Sequence, residues 1–179
     1  MRRLFIFVAA SLLSLDASAQ SIAQKADAAM HRVFGEKSEL TKQTVAIDQG
    51  VMEHVKSHTG EDVRDKAIVH EAMVNGKVVG YGIVDDVRGK AQPITYITLI
   101  HPDGKIADVE VLVYREPYGG EIGYETFRKQ FRGKSPNSKL RVGEDIQNMA
   151  GATISSNAIT RGAKKIVTLF DELRKAGKL

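Results

Sequence analysis

Alternation of hydrophobic and polar residues predicts β-strands through the first two thirds of the chain. The dipeptide Asn75-Gly76 separates two such runs and strongly favours a two-residue hairpin turn. The sequence His101-Pro102-Asp103-Gly104 separates two more runs that are rich in β-branched residues. The predicted strands are 40–47, 66–74, 77–84, 93–100 and 105–114. Most of them therefore form antiparallel hairpins.

Apolar residues repeating every three to four positions predict helices on both sides of the strands. Gly35 and Gly60 end the first two helices, and Asp48 is the expected N-cap of the second. The predicted helices are 21–33, 48–58, 121–131 and 155–176, with a polar loop at 132–142. This order predicts a single α+β domain, with helices packed on one face of a twisted, mostly antiparallel sheet.

The N-terminus has the features of a cleaved Sec-type signal peptide. Arg2 and Arg3 precede an apolar run of about a dozen residues, and Ala17-Ser18-Ala19 matches a cleavage site before Gln20. The run is shorter than the roughly 20 residues that span a bilayer. We expect residues 1–19 to be removed and the rest to be periplasmic or otherwise extracytoplasmic, without stable membrane insertion. Residues 20–65 then form an N-terminal helical and strand segment before a main domain at 66–179.

Composition excludes several classes of site. The 179 residues include no Cys, which excludes disulfides, thiolate-bound zinc and Cys-ligated iron–sulfur clusters. The net charge is +4, and the basic residues form no long stripe interleaved with stacking aromatics. A nucleic-acid partner is therefore not expected.

Two clusters of polar residues have ordinary explanations. His54 and His58 have helical spacing for two metal ligands, but no third ligand is evident nearby, so we expect no metal site. A basic stretch is a solvated surface, a docking face for an acidic partner or a contact for a cofactor phosphate. Its members are Arg128, Lys129, Arg132, Lys134, Lys139 and Arg141.

The segment 114–124, with the sequence YREPYGGEIGY, interrupts the strand pattern. Pro117 fixes a turn, and Gly119-Gly120 would let the backbone approach a flat or bulky group. Tyr118 and Tyr124 flank these glycines. The residues themselves leave two alternatives open, a ligand contact or a tight turn.

The stretch Ala150-Gly151-Ala152-Thr153-Ile154-Ser155-Ser156 joins a loop to the last predicted helix. Such a junction presents free N–H groups and the positive end of a helix dipole, which favour a phosphate. The alternative is purely structural, with Thr153 or Ser155 as the N-cap.

This stretch resembles the Ser-Gly-Ala-Thr-x-Ser/Thr-Ser/Thr signature of the FMN-binding domain family. That family includes the FMN-carrying C subunit of the Na⁺-translocating NADH:quinone reductase and the G subunit of the Rnf complex. The resemblance implies FMN joined to Thr153 through a phosphoester, beside Gly151 and Ala152. It also implies a phosphate near the N–H groups and hydroxyls of Ser155 and Ser156.

The resemblance extends from about residue 78 to the last helix. Glu116-Pro117-Tyr118-Gly119-Gly120 resembles the family's flavin-contacting turn, so Glu116, Tyr118, Gly119 and Gly120 are implied cofactor contacts. The chain differs from the family at Gln147, where Asp is frequent although Asp145 is close by, and at Ala150, where Ser or Thr is common.

The resemblance implies an exported flavoprotein that relays electrons between redox partner proteins. A Mg²⁺-dependent flavin transferase would attach the FMN from FAD, and the protein would be an electron carrier more than a complete enzyme. One alternative is a small flavin-dependent reductase with Tyr118, Glu116 or Arg115 as proton donor. Another is a non-redox binding module in which the loop at 150–156 is only a helix cap.

Overall fold

Five strands form one antiparallel sheet in which each strand pairs with the next in sequence. The strands are β1 (Glu39–Ala46), β2 (Lys66–Val74), β3 (Lys77–Arg88), β4 (Pro93–Ile100) and β5 (Ile106–Val113). The computed structural model describes residues 21–179, so the signal peptide predicted at 1–19 lies outside the described residues. The predicted α+β class and antiparallel sheet are confirmed.

The helices confirm three of the four predicted segments. They are α1 (residues 21–34), α2 (Gln49–Thr59), α3 (Glu125–Arg128) and α4 (Thr153–Lys175). The single helix predicted at 121–131 is wrong, because 3₁₀ turns at Gly120–Gly123 and Lys129–Phe131 flank a short α3. Tyr124 between them is extended, at φ −72° and ψ 146°. Gly123 weakens a helix at this point, and the break leaves both Phe127 and Phe131 fully buried.

Helices cover both faces of the sheet, so the prediction that they lie on one face is wrong. Every residue of β4 from Ile94 to Ile100 is buried, because its side chains enter two separate cores. Tyr96 and Ile100 pack with α4, whereas Ile97 and Leu99 pack with α1. The sequence of β4 did not predict this, because apolar or uncharged residues occupy both faces and no polar face marks a solvent side.

α4 lies directly against β4 where Gly162 faces the Tyr96 ring. A Cβ atom at Gly162 would be 2.6 Å from the Tyr96 hydroxyl oxygen, so a larger residue would push the helix away. The buried Lys165 ammonium lies 2.6 Å from Asp85, and the Tyr96 hydroxyl donates to the same carboxylate at 3.2 Å. Burial, together with Asp85, raises the pKa of Tyr96 well above its usual value. These contacts fix the position of α4 and hence of its first residue, Thr153.

Asp108 on β5 ties three elements together on the α1 face. Its side chain is 1% exposed and pairs with Arg32 of α1, with Arg128 of α3 and with Arg132. Burial acts to raise the pKa of Asp108, but the hydrogen bond from Arg128 and the arginine charges lower it overall. The carboxylate therefore stays ionised and holds the 120–132 segment beside β5.

Residues 21–179 contain no helix that is long and apolar enough to cross a bilayer.

The buried His70 makes the free energy of unfolding pH-dependent. Burial lowers its pKa from 6.5, as does Lys42, while Asp27 opposes the shift. The unfolded chain therefore binds the proton more readily. The contribution of neutral His70 to the free energy of unfolding is complete above pH 6.5. It is lost as the pH falls from there through the folded-state pKa. Urea unfolding between about pH 5 and pH 8 should show this slope, and His70→Gln should flatten it.

His101→Gln is the control for that measurement, because it removes an exposed imidazole from the β4–β5 turn. It should keep the wild-type slope. Equal slopes for wild type and His70→Gln would contradict the assignment to His70.

Candidate functional site

The two stretches singled out in the sequence lie in contact. Gly119 is buried at φ 91°, and an added Cβ would be 2.6 Å from the Tyr114 hydroxyl and 2.9 Å from Ser155 Oγ. It would also be 3.6 Å from Cα of Ala152. Because both the backbone angle and the space require glycine, the turn after β5 can rest on the first turn of α4.

The Tyr114 hydroxyl joins these two stretches. It donates to the backbone carbonyl of Tyr118 and lies 2.9 Å from Ser155 Oγ. Because the single phenol proton is given to Tyr118, the Ser155 hydroxyl is the donor in the second bond. Sequence reasoning used Tyr114 only as a strand end. No local pattern marks it, because its role depends on Ser155, 41 residues away.

The start of α4 has no side-chain cap. Its N-cap is Ala152, so the alternative in which Thr153 or Ser155 is the N-cap is wrong. The N–H groups of Thr153, Ile154 and Ser155 make no hydrogen bond within residues 21–179. The Ser156 N–H donates to the Ala152 carbonyl at 2.7 Å and is not open to a ligand, contrary to expectation. Three adjacent donors therefore lie without a partner among the described residues at the positive end of a 23-residue helix.

Thr153 is the exposed hydroxyl at this helix start. Its Oγ1 accepts a hydrogen bond of 2.8 Å from Asn148 Nδ2, and its carbonyl accepts one of 2.8 Å from Asn157 Nδ2. Gly151 precedes it at φ 79°, where a Cβ would find no atom closer than 3.9 Å. The backbone angle, more than space, is therefore the reason for glycine at 151. Ala152 is 2% exposed and anchors the turn in the core.

The two serines of the signature serve the fold. Ser155 and Ser156 are 3% and 0% exposed. The Ser155 hydroxyl bonds to Tyr114, and Ser156 Oγ accepts from the Met149 N–H at 3.4 Å. Neither hydroxyl is exposed to a ligand, so the free N–H groups are the donors left for an anion at this helix start.

Glu121 approaches the Gly151 turn. Its Oε1 is 3.9 Å from the position of a Gly151 Cβ, and its Oε2 is buried with no hydrogen-bond partner among the described residues. A buried acceptor of this kind is costly unless it is satisfied. Sequence reasoning did not include Glu121 in the site.

Glu116 bonds to a different part of the chain. Its carboxylate accepts from the N–H groups of Ala91 at 2.9 Å and Gln92 at 3.2 Å, in the β3–β4 turn. The hydrogen bond from Ala91, followed by that from Gln92, lowers the pKa of Glu116. None of its hydrogen bonds involves residues 150–156. Glu116 therefore orders a neighbouring turn, and it is poorly suited to donate a proton.

The loop before the site is held from several directions. Asp145 accepts from the N–H groups of Leu140 and Arg141 and pairs with Lys134 at 3.1 Å. The Gln147 N–H donates to the Gln130 side chain at 2.6 Å. The backbone at 147 is thus anchored although Gln stands where the family pattern has Asp.

Most of the basic stretch is already paired with carboxylates. Arg128 pairs with Asp108, and Arg132 lies 2.6 Å from Glu125. The remaining pairs are Lys134–Asp145, Lys139–Glu144 and Arg141–Glu144. Lys129 alone of the six has no carboxylate within 4.0 Å in residues 21–179. The surface potential here is weaker than the sequence indicated.

The two stretches that meet at the site carry exposed apolar side chains. Tyr118 is 83% exposed, Tyr124 is 62% exposed and Ile154 is 50% exposed. Large apolar groups left in water beside free N–H donors are typical of a surface that contacts a ligand or a partner.

Two other features lie apart from this site. A cavity of about 820 Å³ is lined by groups that include His70, Asp86 and Lys165. Of residues 114–124 and 147–157, Arg115 is the one that lines it. The His54 and His58 rings stack at 4.0 Å, and His54 Nε2 is 3.6 Å from Glu172. Residues 21–179 contain no group of three or more side chains placed to bind a metal.

Gly119→Ala should destabilise the protein by about 1–3 kcal/mol, because it strains a positive φ and drives a methyl group into Tyr114 and Ser155. Gly120→Ala is the matched control, since its nearest neighbour would be 4.0 Å away in the Tyr114 ring. Urea unfolding measures both. Equal losses in the two variants would contradict the close contact at Gly119.

Comparison with known proteins identifies the segment that contains this site. Residues 89–168 match the family model described as FMN-binding domain. Over 112 residues the chain is 30% identical to the G subunit of a proton-translocating ferredoxin:NAD⁺ oxidoreductase complex from Clostridium ljungdahlii. That alignment covers 59% of this chain and 60% of the relative, so the chain spans less than two thirds of that protein.

A second relative is the G subunit of the Na⁺-translocating ferredoxin:NAD⁺ oxidoreductase complex of Acetobacterium woodii. It is 28% identical over 141 residues, which are 73% of this chain and 68% of the relative.

Two solved structures share the fold. NqrC of Shewanella oneidensis superposes with a TM-score of 0.61 at 15% identity, covering 88% of this chain and 99% of that one. The C subunit of the Na⁺-translocating NADH-quinone reductase of Parabacteroides distasonis gives 0.52 at 13% identity, covering 88% and 96%. The matched family segment begins at the end of β3 and runs into α4, so it includes the turn at Gly119 and the start of α4. The chain therefore contains, at residues 89–168, a domain of the FMN-binding domain family.

Proposed function

We propose that this chain is an exported electron carrier that holds FMN covalently, through a phosphoester to Thr153. The observation that carries the proposal is an exposed Thr hydroxyl on the first residue of an uncapped helix. An N-cap of Ser, Thr, Asp or Asn would satisfy one of the free N–H groups, and Ala152 satisfies none. An anion bound at this position would therefore complete the helix start.

The residues of the site fit the separate parts of FMN. The N–H groups of Thr153, Ile154 and Ser155 and the helix dipole suit a phosphate. Glu121 Oε1, which lies beside the Gly151 turn, is an acceptor for a hydroxyl or ring N–H of the cofactor. The exposed Tyr118 and Ile154 side chains provide apolar surface for a flat ring. A phosphate, a polar chain and an aromatic ring would each find matching groups.

The protein's part is to attach, orient and shield the cofactor, while the bound flavin supplies the electron chemistry. Backbone N–H groups of the Gly119-Gly120 turn would stabilise negative charge on a reduced ring. A site this open to solvent suits electron exchange with other proteins better than a closed substrate pocket would.

Export and covalent attachment support each other. A signal peptide at residues 1–19 would place the protein outside the cytoplasm, where a freely dissociating cofactor would be lost by diffusion. An ester to Thr153 removes that loss. Attachment requires a flavin transferase acting on FAD, and it leaves the protein outside the membrane after signal cleavage.

Redox proteins are the proposed partners, because the relatives are named as subunits of ferredoxin:NAD⁺ oxidoreductase complexes. The donor and acceptor of this chain need not be theirs. Because most of the basic stretch is paired, the exposed Tyr118, Tyr124 and Ile154 are a better docking surface than residues 128–141.

The site geometry does not favour the two alternatives. A reductase needs a proton donor at the ring. Of the three candidates, Glu116 is held ionised by backbone N–H groups elsewhere and Arg115 lines the separate cavity, which leaves the exposed Tyr118. A non-redox module in which Thr153 or Ser155 is only a cap conflicts with Ala152 at that position.

Intact mass after co-expression with a flavin transferase tests the proposal. Wild type should gain the mass of one FMN less one water and turn yellow, and the exported form should begin at Gln20. Thr153→Ala should gain nothing, because no hydroxyl remains to form the ester.

Thr126→Ala is the matched control, since it removes another exposed Thr hydroxyl, in α3. It should be modified like wild type. An unmodified wild type, or FMN retained by Thr153→Ala, would overturn covalent attachment. Repeated turnover of a small-molecule substrate by the loaded protein without any protein partner would overturn the carrier role.

A further inference from the structure

The hydroxyl of Thr153 is held by one neighbouring side chain. Asn148 Nδ2 donates to Thr153 Oγ1 at 2.8 Å, and both residues are exposed. No other hydrogen bond to this hydroxyl occurs within residues 21–179. Asn148 lies in the loop before α4, at a position to which neither the sequence signature nor the family match gives a role.

The loop that carries Asn148 is anchored on both sides of it. The Gln147 N–H donates to Gln130 at 2.6 Å, and the Met149 N–H donates to Ser156 Oγ at 3.4 Å. The Ala152 N–H closes the turn by donating to the Met149 carbonyl at 3.0 Å. The Asn148 amide therefore reaches Thr153 from a backbone that other hydrogen bonds hold in place. Forming this bond costs little conformational entropy in the loop.

We propose that Asn148 is a positioning residue that orients the Thr153 hydroxyl for flavin attachment, an inference that rests on the proposed function. In that step Thr153 Oγ1 attacks the phosphorus of the FMN half of FAD. The new Oγ1–P bond forms, the P–O bond to AMP breaks, AMP leaves, and the hydroxyl proton passes to a base of the transferase. Nothing is oxidised or reduced.

The direction of the Asn148 bond suits this step. The amide N–H occupies one lone pair of Oγ1 and fixes the side-chain rotamer of Thr153. The second lone pair and the O–H bond then point away from Asn148, towards solvent and an incoming active site. Holding a nucleophile in one orientation raises its reaction rate without a change in its chemistry.

Asn157 provides a matched control on the same residue. Its Nδ2 also donates at 2.8 Å, but to the backbone carbonyl of Thr153 and not to the reacting hydroxyl. A general loss of order at the helix start would affect both asparagines, whereas orientation of the hydroxyl depends on Asn148 alone.

The test measures flavin attachment to wild type, Asn148→Leu and Asn157→Ala, with purified flavin transferase, FAD and Mg²⁺. Leu keeps the branched shape of Asn but has no hydrogen-bond donor. Intact mass and AMP release give kcat and KM for each carrier variant, and thermal unfolding checks the fold. We expect Asn148→Leu to lower kcat about three- to tenfold, the worth of one hydrogen bond. KM and Tm should stay near wild type, as should all values for Asn157→Ala.

Three results would overturn the inference while leaving the proposed function intact. One is wild-type kcat in Asn148→Leu. Another is an equal loss of kcat in the two variants, which would indicate a general structural role. The third is a rise in KM alone, which would indicate recognition of Asn148 by the transferase. Absence of attachment to wild type would instead overturn the proposed function itself.

Discussion

The candidate site depends on the close approach of Gly119 to the first turn of α4. Only a residue without a side chain can sit between the Tyr114 hydroxyl and Ser155 Oγ. The Tyr114 hydroxyl then bonds to both segments. The turn after β5 and the start of α4, more than 30 residues apart, thereby become one surface around Thr153. The loop at 140–149 completes it by bringing Asn148 to the Thr153 hydroxyl.

A helix that begins with Ala152 gives up stability at its N-terminus. Substitution of a capping Ser, Thr, Asn or Asp by Ala typically costs about 0.5–2 kcal/mol. The long apolar face of α4, packed on β3, β4 and α2, supports the helix without a cap. The three free N–H groups have no partner among the described residues, and the proposed function assigns them to a phosphate.

Ion pairs within the chain link separate elements of this fold. Asp108 pairs with Arg32, Arg128 and Arg132, and Asp85 pairs with Lys165. These pairs join elements that are far apart in sequence, and they neutralise residues that a charge count assigns to the surface. The exposed groups of the site are therefore apolar side chains and hydrogen-bonding groups more than cations.

Local sequence patterns were enough to predict the five strands, their antiparallel hairpins and the Gly151-Ala152-Thr153 pattern at the start of α4. These features follow from period, turn chemistry and local signature, which act over a few residues. Only the folded structure shows that helices cover both faces of the sheet, that the helix predicted at 121–131 is interrupted, and that Ala152 leaves three N–H groups without a partner. It also decided the roles of Tyr114, Glu121 and Asn148, because each depends on the packing of segments that approach one another only in the folded chain.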